Sequence, residues 1–278
     1  MISYNPKHWF LFIFRIHKGE TFRELLPLML LLGLYTFIID LIFLNFIHVS
    51  PKGKMSNLTM MYSVLGFVIS LLLVFRTNTA YERWWEGRKL WGSLVNCSRN
   101  LALKLKIILP LEKHAFFNES IPNYSLALKI HLQRVKGHEH PNKQAERILA
   151  EINKLYKEGL ITESQLLIIN LEWQQFTEIC GGCERIKNTP IPFSYSSFIK
   201  KFLFFYTMFM PFAYVSNLGY FIIPLVVFIF YVLASIELIA EEIEDPFGDD
   251  PNDLPLDHFC GLIKKSINEI FEVVPLEG

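Results

Sequence analysis

The chain has 278 residues, of which 51% are hydrophobic, and phenylalanine alone contributes 25. Lys+Arg and Asp+Glu balance at 27 each, so no basic excess indicates a nucleic-acid partner. The charges are unevenly placed, because long uncharged segments alternate with strongly charged ones. This distribution is typical of a membrane protein with a substantial aqueous part.

Residues 1–24 are predicted to form an amphipathic arm that lies on the membrane surface. This segment is rich in aromatic residues but is interrupted by Lys7, Arg15 and Lys18. It also lacks the small-residue cleavage pattern of a signal peptide. We therefore expect the arm to be retained.

Residues 25–76 are predicted to contain the first two membrane helices, over residues 25–47 and 58–75. The first is interrupted only by Asp40, and residues 55–75 carry no charge until Arg76. A span needs about 20 apolar residues, and a flank rich in Arg and Trp marks its exit from the lipid. We expect Arg76, Trp84 and Trp85 to anchor that exit. An acid in hydrocarbon is costly, so Asp40 is expected to face a polar interior, a partner or the outer interface.

Residues 198–240 are predicted to hold the third and fourth spans. The uncharged run over residues 202–236 is 35 residues long, which at about 1.5 Å per residue exceeds a hydrocarbon core about 30 Å thick. A turn at residues 216–219, which read Ser-Asn-Leu-Gly, would divide it. The alternative is one span followed by an interfacial helix.

The remaining segments are predicted to be cytosolic, namely a helical region over residues 77–197 and an acidic segment over residues 241–278. Lys and Arg cluster before the first span, after the second and before the third, whereas the first loop holds only Lys52 and Lys54. Under the positive-inside rule both termini are cytoplasmic. The fold class is therefore an all-α membrane protein with four transmembrane helices and a large helical cytosolic region.

The motifs that suggest covalent or metal chemistry are weak. Cys180-Gly-Gly-Cys183 has no second CxxC and no βαβ context, so the glycine pair is interpreted as a break or kink in a packed helix. His131, His138 and His140 lie near a loop and are interpreted as solvent-facing. We predict no metal site, no cofactor and no enzymatic activity, and cysteines in the cytoplasm are not expected to form disulfides.

The second span carries the strongest candidate for function. Val64, Val68 and Leu72 recur at i, i+4 and i+8 and stack along one helix face. Around an axis, such faces would form a narrow hydrophobic throat that gates by dewetting, although ordinary helix packing gives the same spacing. Ser63, Gly66 and Ser70 are small enough to let neighbouring helices approach, which fits an oligomer.

Three blocks of the sequence resemble the bestrophin family in its bacterial branch. They are residues 74–92 (VFRTNTAYERWWEGRKLWG), residues 182–195 (GCERIKNTPIPFSY) and residues 240–255 (AEEIEDPFGDDPNDLP), and they occur in family order. The resemblance implies a homopentameric channel with four membrane helices per subunit and a helical cytosolic portion. It also implies a hydrophobic neck at Val64, Val68 and Leu72, and a cytosolic aperture at Ile186.

Two departures from animal members of the family bear on mechanism. Their Ca²⁺ clasp follows an Asn-Pro-Phe-Gly motif, whereas this chain has Asp245-Pro-Phe-Gly248 and an aspartate run broken by Pro251 and Asn252. Asp245, Asp250 and Asp253 are the candidate cation clasp, but the shortage of carboxylates argues against calcium gating. The neck is also aliphatic, whereas animal members use aromatic side chains that are linked to anion permeation because ring edges are electropositive. Bacterial members of the family look more like cation channels, so chloride and sodium both stay open as the permeant ion.

The residues and the resemblance together predict a channel for small monovalent ions in the bacterial inner membrane, and the resemblance implies that it is a homopentamer. Its partners would be the lipid bilayer, other copies of itself and the permeant ions. The alternative is a membrane-anchored helical scaffold or sensor that does not conduct. A membrane enzyme is disfavoured because no His, Cys or carboxylate motif supports it.

Overall fold

A computed structural model describes residues 20–47, 56–135 and 137–272, and these residues form helices and no strand. The predicted arm over residues 1–24 lies almost wholly outside the described residues. The described residues contain eight α-helices, namely α1 (Glu20–Ile42), α2 (Ser56–Ile108), α3 (His114–Leu132), α4 (Pro141–Lys157), α5 (Glu163–Asn188), α6 (Phe193–Leu218), α7 (Ile222–Glu244) and α8 (Leu256–Phe271). The all-α prediction is confirmed.

Three described stretches are long and apolar enough to cross a membrane, namely Thr21–Phe46, Leu58–Ile108 and Phe193–Glu244. The first consists of α1 and a π-helical turn, Phe43–Ile47. The second lies within α2, a continuous helix of 53 residues. The third contains α6 and α7, which are separated by a 3₁₀ turn over Gly219–Phe221. Gly219 has a positive φ of 52°, which suits glycine and ends α6 next to the turn predicted from the sequence.

The chain divides into two compact units. The membrane unit comprises the described parts of residues 2–82 together with Ile191–Glu244. Within it, α1 packs against α7 and α6, and α6 packs against α7. Its core is built from apolar side chains on these helices and on the first part of α2, including Ile69, Leu73, Leu203 and Val226.

The helical unit comprises Arg83–Pro190 and the described residues from Asp245 onward. In it α3 packs against α4, α5 and α8, and α4 packs against α5. Buried aromatic side chains fill the centre, among them Trp91, Phe117 and Tyr124. Helix α5 begins with a capping box, in which Thr162 and Gln165 satisfy each other's backbone N–H groups. All four cysteines are free.

A close approach of α6 to α2 explains one of the small residues of the second span. A Cβ atom added at Gly66 would lie 2.7 Å from the Tyr206 hydroxyl oxygen. Tyr206 is held there because its ring packs 5.2 Å from that of Tyr62, whose hydroxyl donates to the Tyr206 carbonyl. Gly66 therefore serves packing within one chain.

Replacing Gly66 by alanine is expected to destabilise the membrane unit by about 1–3 kcal/mol, the usual cost of forcing extra volume into a packed site. The measurement is thermal unfolding of the purified protein in detergent. Gly181→Ala is the matched control, because a Cβ there meets nothing within 4 Å. The control should be neutral or stabilising, since alanine favours helix over glycine. Equal losses in both variants would contradict the assigned role of Gly66.

Candidate ion pathway

The predicted neck residues lie on the first part of α2 and differ in exposure. Val64 and Val68 are exposed, at 59% and 38%, whereas Leu72 is half-buried. Each i+4 step advances about 400° around a helix, so the line through the three residues drifts by about 40° per step. Leu72 is thereby carried toward the packed side of α2, where its carbonyl accepts a 3.4 Å hydrogen bond from the Tyr195 hydroxyl.

The opposite face of α2 is buried in the membrane unit. Its buried residues recur at helical spacing and are Tyr62, Ile69, Leu73, Arg76 and Ala80. The exposed face has no charged side chain between Leu58 and Phe75. Among the described residues of a single chain, this uncharged, largely aliphatic helix face is therefore left exposed.

Arg76 does not anchor α2 at the membrane surface as we expected. Its side chain is 1% exposed and forms ion pairs with Glu237 Oε1 at 3.5 Å and with Glu244 Oε2 at 2.7 Å. Both acids belong to α7. Glu244 also accepts a 2.7 Å hydrogen bond from the Ile191 backbone N–H. Arg76 thus fastens α2 to α7, and the sequence could not reveal this because the partners lie more than 160 residues away.

The aromatic pair Trp84 and Trp85, which follows on α2, is only partly exposed. The rings of Trp84 and Trp85 stack with centroids 6.5 Å apart, and the Trp84 indole N–H donates to the Asn252 carbonyl at 3.0 Å. Trp85 remains exposed. Trp84 therefore contributes to packing of the acidic loop within the helical unit.

Ile186, the predicted aperture residue, is only 3% exposed. It lies in the core of the helical unit with other apolar residues of α5, including Phe176, Ile179 and Cys183. In a single chain its side chain contributes to that core, and its assignment to a cytosolic aperture stays a prediction. The spacing of 176, 179, 183 and 186 was the sequence signal that indicated a core position.

The end of α5 is fixed by an arginine of α2. Arg83 donates from Nη2 to the Ile186 carbonyl at 2.6 Å and from Nη1 to the Thr189 carbonyl at 2.5 Å. A cation at a helix C-terminus satisfies carbonyls that have no partner within the helix. Sequence reasoning assigned Arg83 only to the charged flank of the second span.

The candidate cation clasp is not assembled from its three aspartates. Asp253 is buried, and its Oδ2 accepts the Asp250 backbone N–H at 2.7 Å. A Cβ atom added at Gly248 would lie 2.7 Å from the same oxygen, so the Asp253 carboxylate occupies the space inside this turn. Asp245 and Asp250 are exposed. Within the part of the chain that the structure describes, these three carboxylates do not converge on one point.

Three of the four cysteines are buried, and Cys260 is half-buried. Burial raises the pKa of Cys180 and of Cys97 to about 12, and it raises the pKa of Cys183 and Cys260 as well. Because the thiolate is the reactive and metal-binding form, these groups are inert near pH 7. The helix break expected at the CxxC is wrong, since α5 continues through it. Gly182 lies against Leu90, and a Cβ atom added at Gly182 would be 3.0 Å from the Leu90 side chain.

Two of the three histidines near the loop contact the carboxylate of Glu184. His131 Nε2 lies 2.8 Å and His140 Nε2 lies 3.0 Å from Glu184 Oε1, whereas His138 is exposed. His131 ends α3, His140 caps α4 and Glu184 belongs to α5. The solvent-facing interpretation therefore fits His138, but not the other two.

Asp40 is fully buried in the membrane unit. Among the described residues, no hydrogen-bond donor reaches either of its carboxylate oxygens. Its side chain is therefore turned to the protein interior and away from lipid.

The fold defines an all-helical membrane protein with several candidate spans and a helical unit outside them. A family model described as a bacterial/fungal bestrophin protein matches residues 1–147 and 129–269. The chain belongs to this family, as its three sequence blocks predicted, and is accordingly not an enzyme.

Named relatives cover nearly the whole chain. A voltage-dependent anion channel-forming protein of Nostoc sp. is 31% identical over 295 residues, which span 97% of this chain and 94% of the relative. A protein of the same description from Escherichia coli is 30% identical over 285 residues, 95% of this chain and 92% of the relative.

Solved structures agree with the fold. A bacterial bestrophin homologue from Klebsiella pneumoniae carrying one substitution has a TM-score of 0.81 at 26% identity, covering 90% of this chain and 100% of that one. Another variant of that homologue has a TM-score of 0.78 at 28% identity, covering 89% and 99%.

Proposed function

We propose that the protein is a bestrophin channel that conducts small monovalent anions across a bacterial inner membrane. Five copies would assemble around an axis, each with four membrane crossings and with both termini in the cytoplasm. Val64, Val68 and Leu72 of each copy would form the hydrophobic neck. The relatives described as anion channel-forming proteins favour an anion, with chloride first and sodium as the competing ion.

One observation carries the proposal, namely the uncovered aliphatic face of α2. A charge-free helix face exposed in one chain must meet lipid, another subunit or a pore. The opposite face is occupied by packing and by the Arg76 ion pairs. Repetition of the free face around an axis supplies a narrow apolar constriction, which passes ions only when it is hydrated.

The proposal includes no cofactor and no calcium requirement. One Asp253 carboxylate oxygen is already bonded inside its own turn, so the acidic loop has fewer carboxylate oxygens available for a Ca²⁺ ion. Flux is therefore expected to be the same with and without micromolar Ca²⁺.

Ion flux into liposomes that contain the purified full-length protein tests the proposal. Cl⁻ and Na⁺ gradients are applied separately, and empty liposomes are the control. Flux carried by Cl⁻ is expected. Flux carried only by Na⁺ would overturn the anion assignment, and no flux from protein that remains oligomeric would favour the non-conducting scaffold.

A further inference from the structure

Three side chains from three different helical segments converge in the helical unit. His131, His140 and Glu184 each offer a ligand atom, and these atoms lie within 4.8 Å of one another. Within the described residues, this is the one group of three His, Cys, Asp or Glu side chains that does so. The ring centroids of the two histidines are 4.4 Å apart.

We propose that His131, His140 and Glu184 bind a divalent transition-metal ion of the zinc class. Zinc takes imidazole nitrogen at about 2.0–2.1 Å and carboxylate oxygen at about 2.0–2.2 Å, usually in tetrahedral geometry. Two ligands at those distances are about 3.3 Å apart. The two N–O separations of 2.8 and 3.0 Å are close to that value, and all three ligand atoms lie within 4.8 Å of one another, so side-chain adjustments can bring them around one ion.

The cluster is reachable from water. The side chains of His131, His140 and Glu184 are about one third exposed, at 31%, 40% and 32%. An ion can therefore enter from solvent, and water can complete the fourth position. Two histidines and one carboxylate with an open fourth position are a ligand set that zinc uses in proteins.

The tautomer of His140 sets a condition for binding. Its Nδ1 accepts the Asn142 backbone N–H at 3.2 Å, so in the neutral ring Nε2 carries the hydrogen and donates to Glu184. A metal at Nε2 displaces that hydrogen, and the ring then needs it on Nδ1. The hydrogen bond from the Asn142 N–H to His140 Nδ1, which caps the start of α4, is therefore lost when the ion binds.

The competing explanation is a pair of hydrogen bonds that merely join α3 and α4 to α5. The two explanations differ in stoichiometry, in spectrum and in which substitutions matter. Glu184→Gln is suited to separating them, because it keeps the size of the side chain and removes the anionic oxygen. His138→Ala is the matched control, because it removes a histidine from the same loop but outside the cluster.

The test is titration of the full-length protein, purified in detergent and stripped with a chelator, with Co²⁺ by visible absorption and with Zn²⁺ by calorimetry. One ion per chain is expected, with the absorption of a tetrahedral or five-coordinate Co²⁺ site. Glu184→Gln and His131→Ala should each weaken binding at least tenfold, whereas His138→Ala should bind as the wild type does.

Hydrogen exchange supplies an independent readout. Zn²⁺ should raise exchange at the Asn142 amide in the wild type and leave it unchanged in Glu184→Gln. Binding that is absent from the wild type, or equal in all variants, would overturn the proposal. Ion flux enters neither measurement, so the result is independent of whether the protein conducts.

Discussion

Anion flux is expected to rise about tenfold or more when Val64, Val68 and Leu72 are replaced together by alanine. The substitutions remove methyl groups from the proposed constriction and widen it, so that water fills it more readily. A barrier lower by about 1.4 kcal/mol corresponds to a tenfold faster rate. The measurement is chloride flux in liposomes at matched protein content.

Val74→Ala is the control for the neck. Val74 is exposed on the same helix and loses the same two methyl groups, but it lies about 80° around α2 from Val64, on the side away from Leu72. Its flux should equal that of the wild type. An equal increase in both variants would mean that α2 is loosened generally and that the neck lies elsewhere.

The half-burial of Leu72 permits a finer test of register. Leu71 is 44% exposed and lies about 20° from the direction of Val64, whereas Leu72 lies about 80° away. If α2 runs parallel to the axis, Leu71→Ala should have the larger effect. If α2 is tilted along the slanted line of 64, 68 and 72, Leu72→Ala should dominate. If neither single change alters the flux, this turn of α2 does not line the pathway.

The second large effect is expected at Arg76. Arg76→Met leaves Glu237, itself 3% exposed, without its buried partner. Breaking a buried ion pair by removing one member costs about 3–5 kcal/mol, because an uncompensated charge stays buried. We expect a large fall in the thermal unfolding midpoint in detergent, together with loss of assembled protein.

A double variant separates charge from packing at this position. Arg76→Met combined with Glu237→Gln removes one of the two acids that pair with Arg76 and leaves Glu244, so it should recover only part of the loss. Lys200→Met is the matched control, since the Lys200–Glu241 pair is about half exposed and such pairs contribute about 0–1 kcal/mol. If Lys200→Met lowers the unfolding midpoint as much as Arg76→Met does, burial of the ion pair is not the cause of the loss.

The sequence was sufficient for the elements whose signal is local. Apolar runs of about 20 residues or more indicated the membrane stretches, and the Ser-Asn-Leu-Gly turn ending at residue 219 indicated the end of α6. The family was identified because three long blocks are specific in a way that short motifs are not. Each of these signals is contained within a few adjacent turns of chain.

The contacts that sequence reasoning missed join residues far apart in the chain. Nothing near Arg76 indicates that Glu237 and Glu244 will neutralise it, and nothing near His131 indicates Glu184, 53 residues away. Ile186 is a different case, because its core position is visible from the spacing of apolar residues in α5, whereas its assignment to an aperture rests on the family resemblance. Side-chain convergence depends on how helices pack, which local periodicity does not determine.

The buried thiols make the natural chain a low-background host for chemical mapping of the pathway. All four cysteines have raised pKa values and are wholly or largely buried, so a water-soluble thiol reagent should label the wild type slowly. Cysteines introduced one at a time by Val64→Cys, Val68→Cys and Leu72→Cys can then be modified without first removing the native ones. Modification rates measured with the membrane sealed would report which side chains water reaches, and from which side.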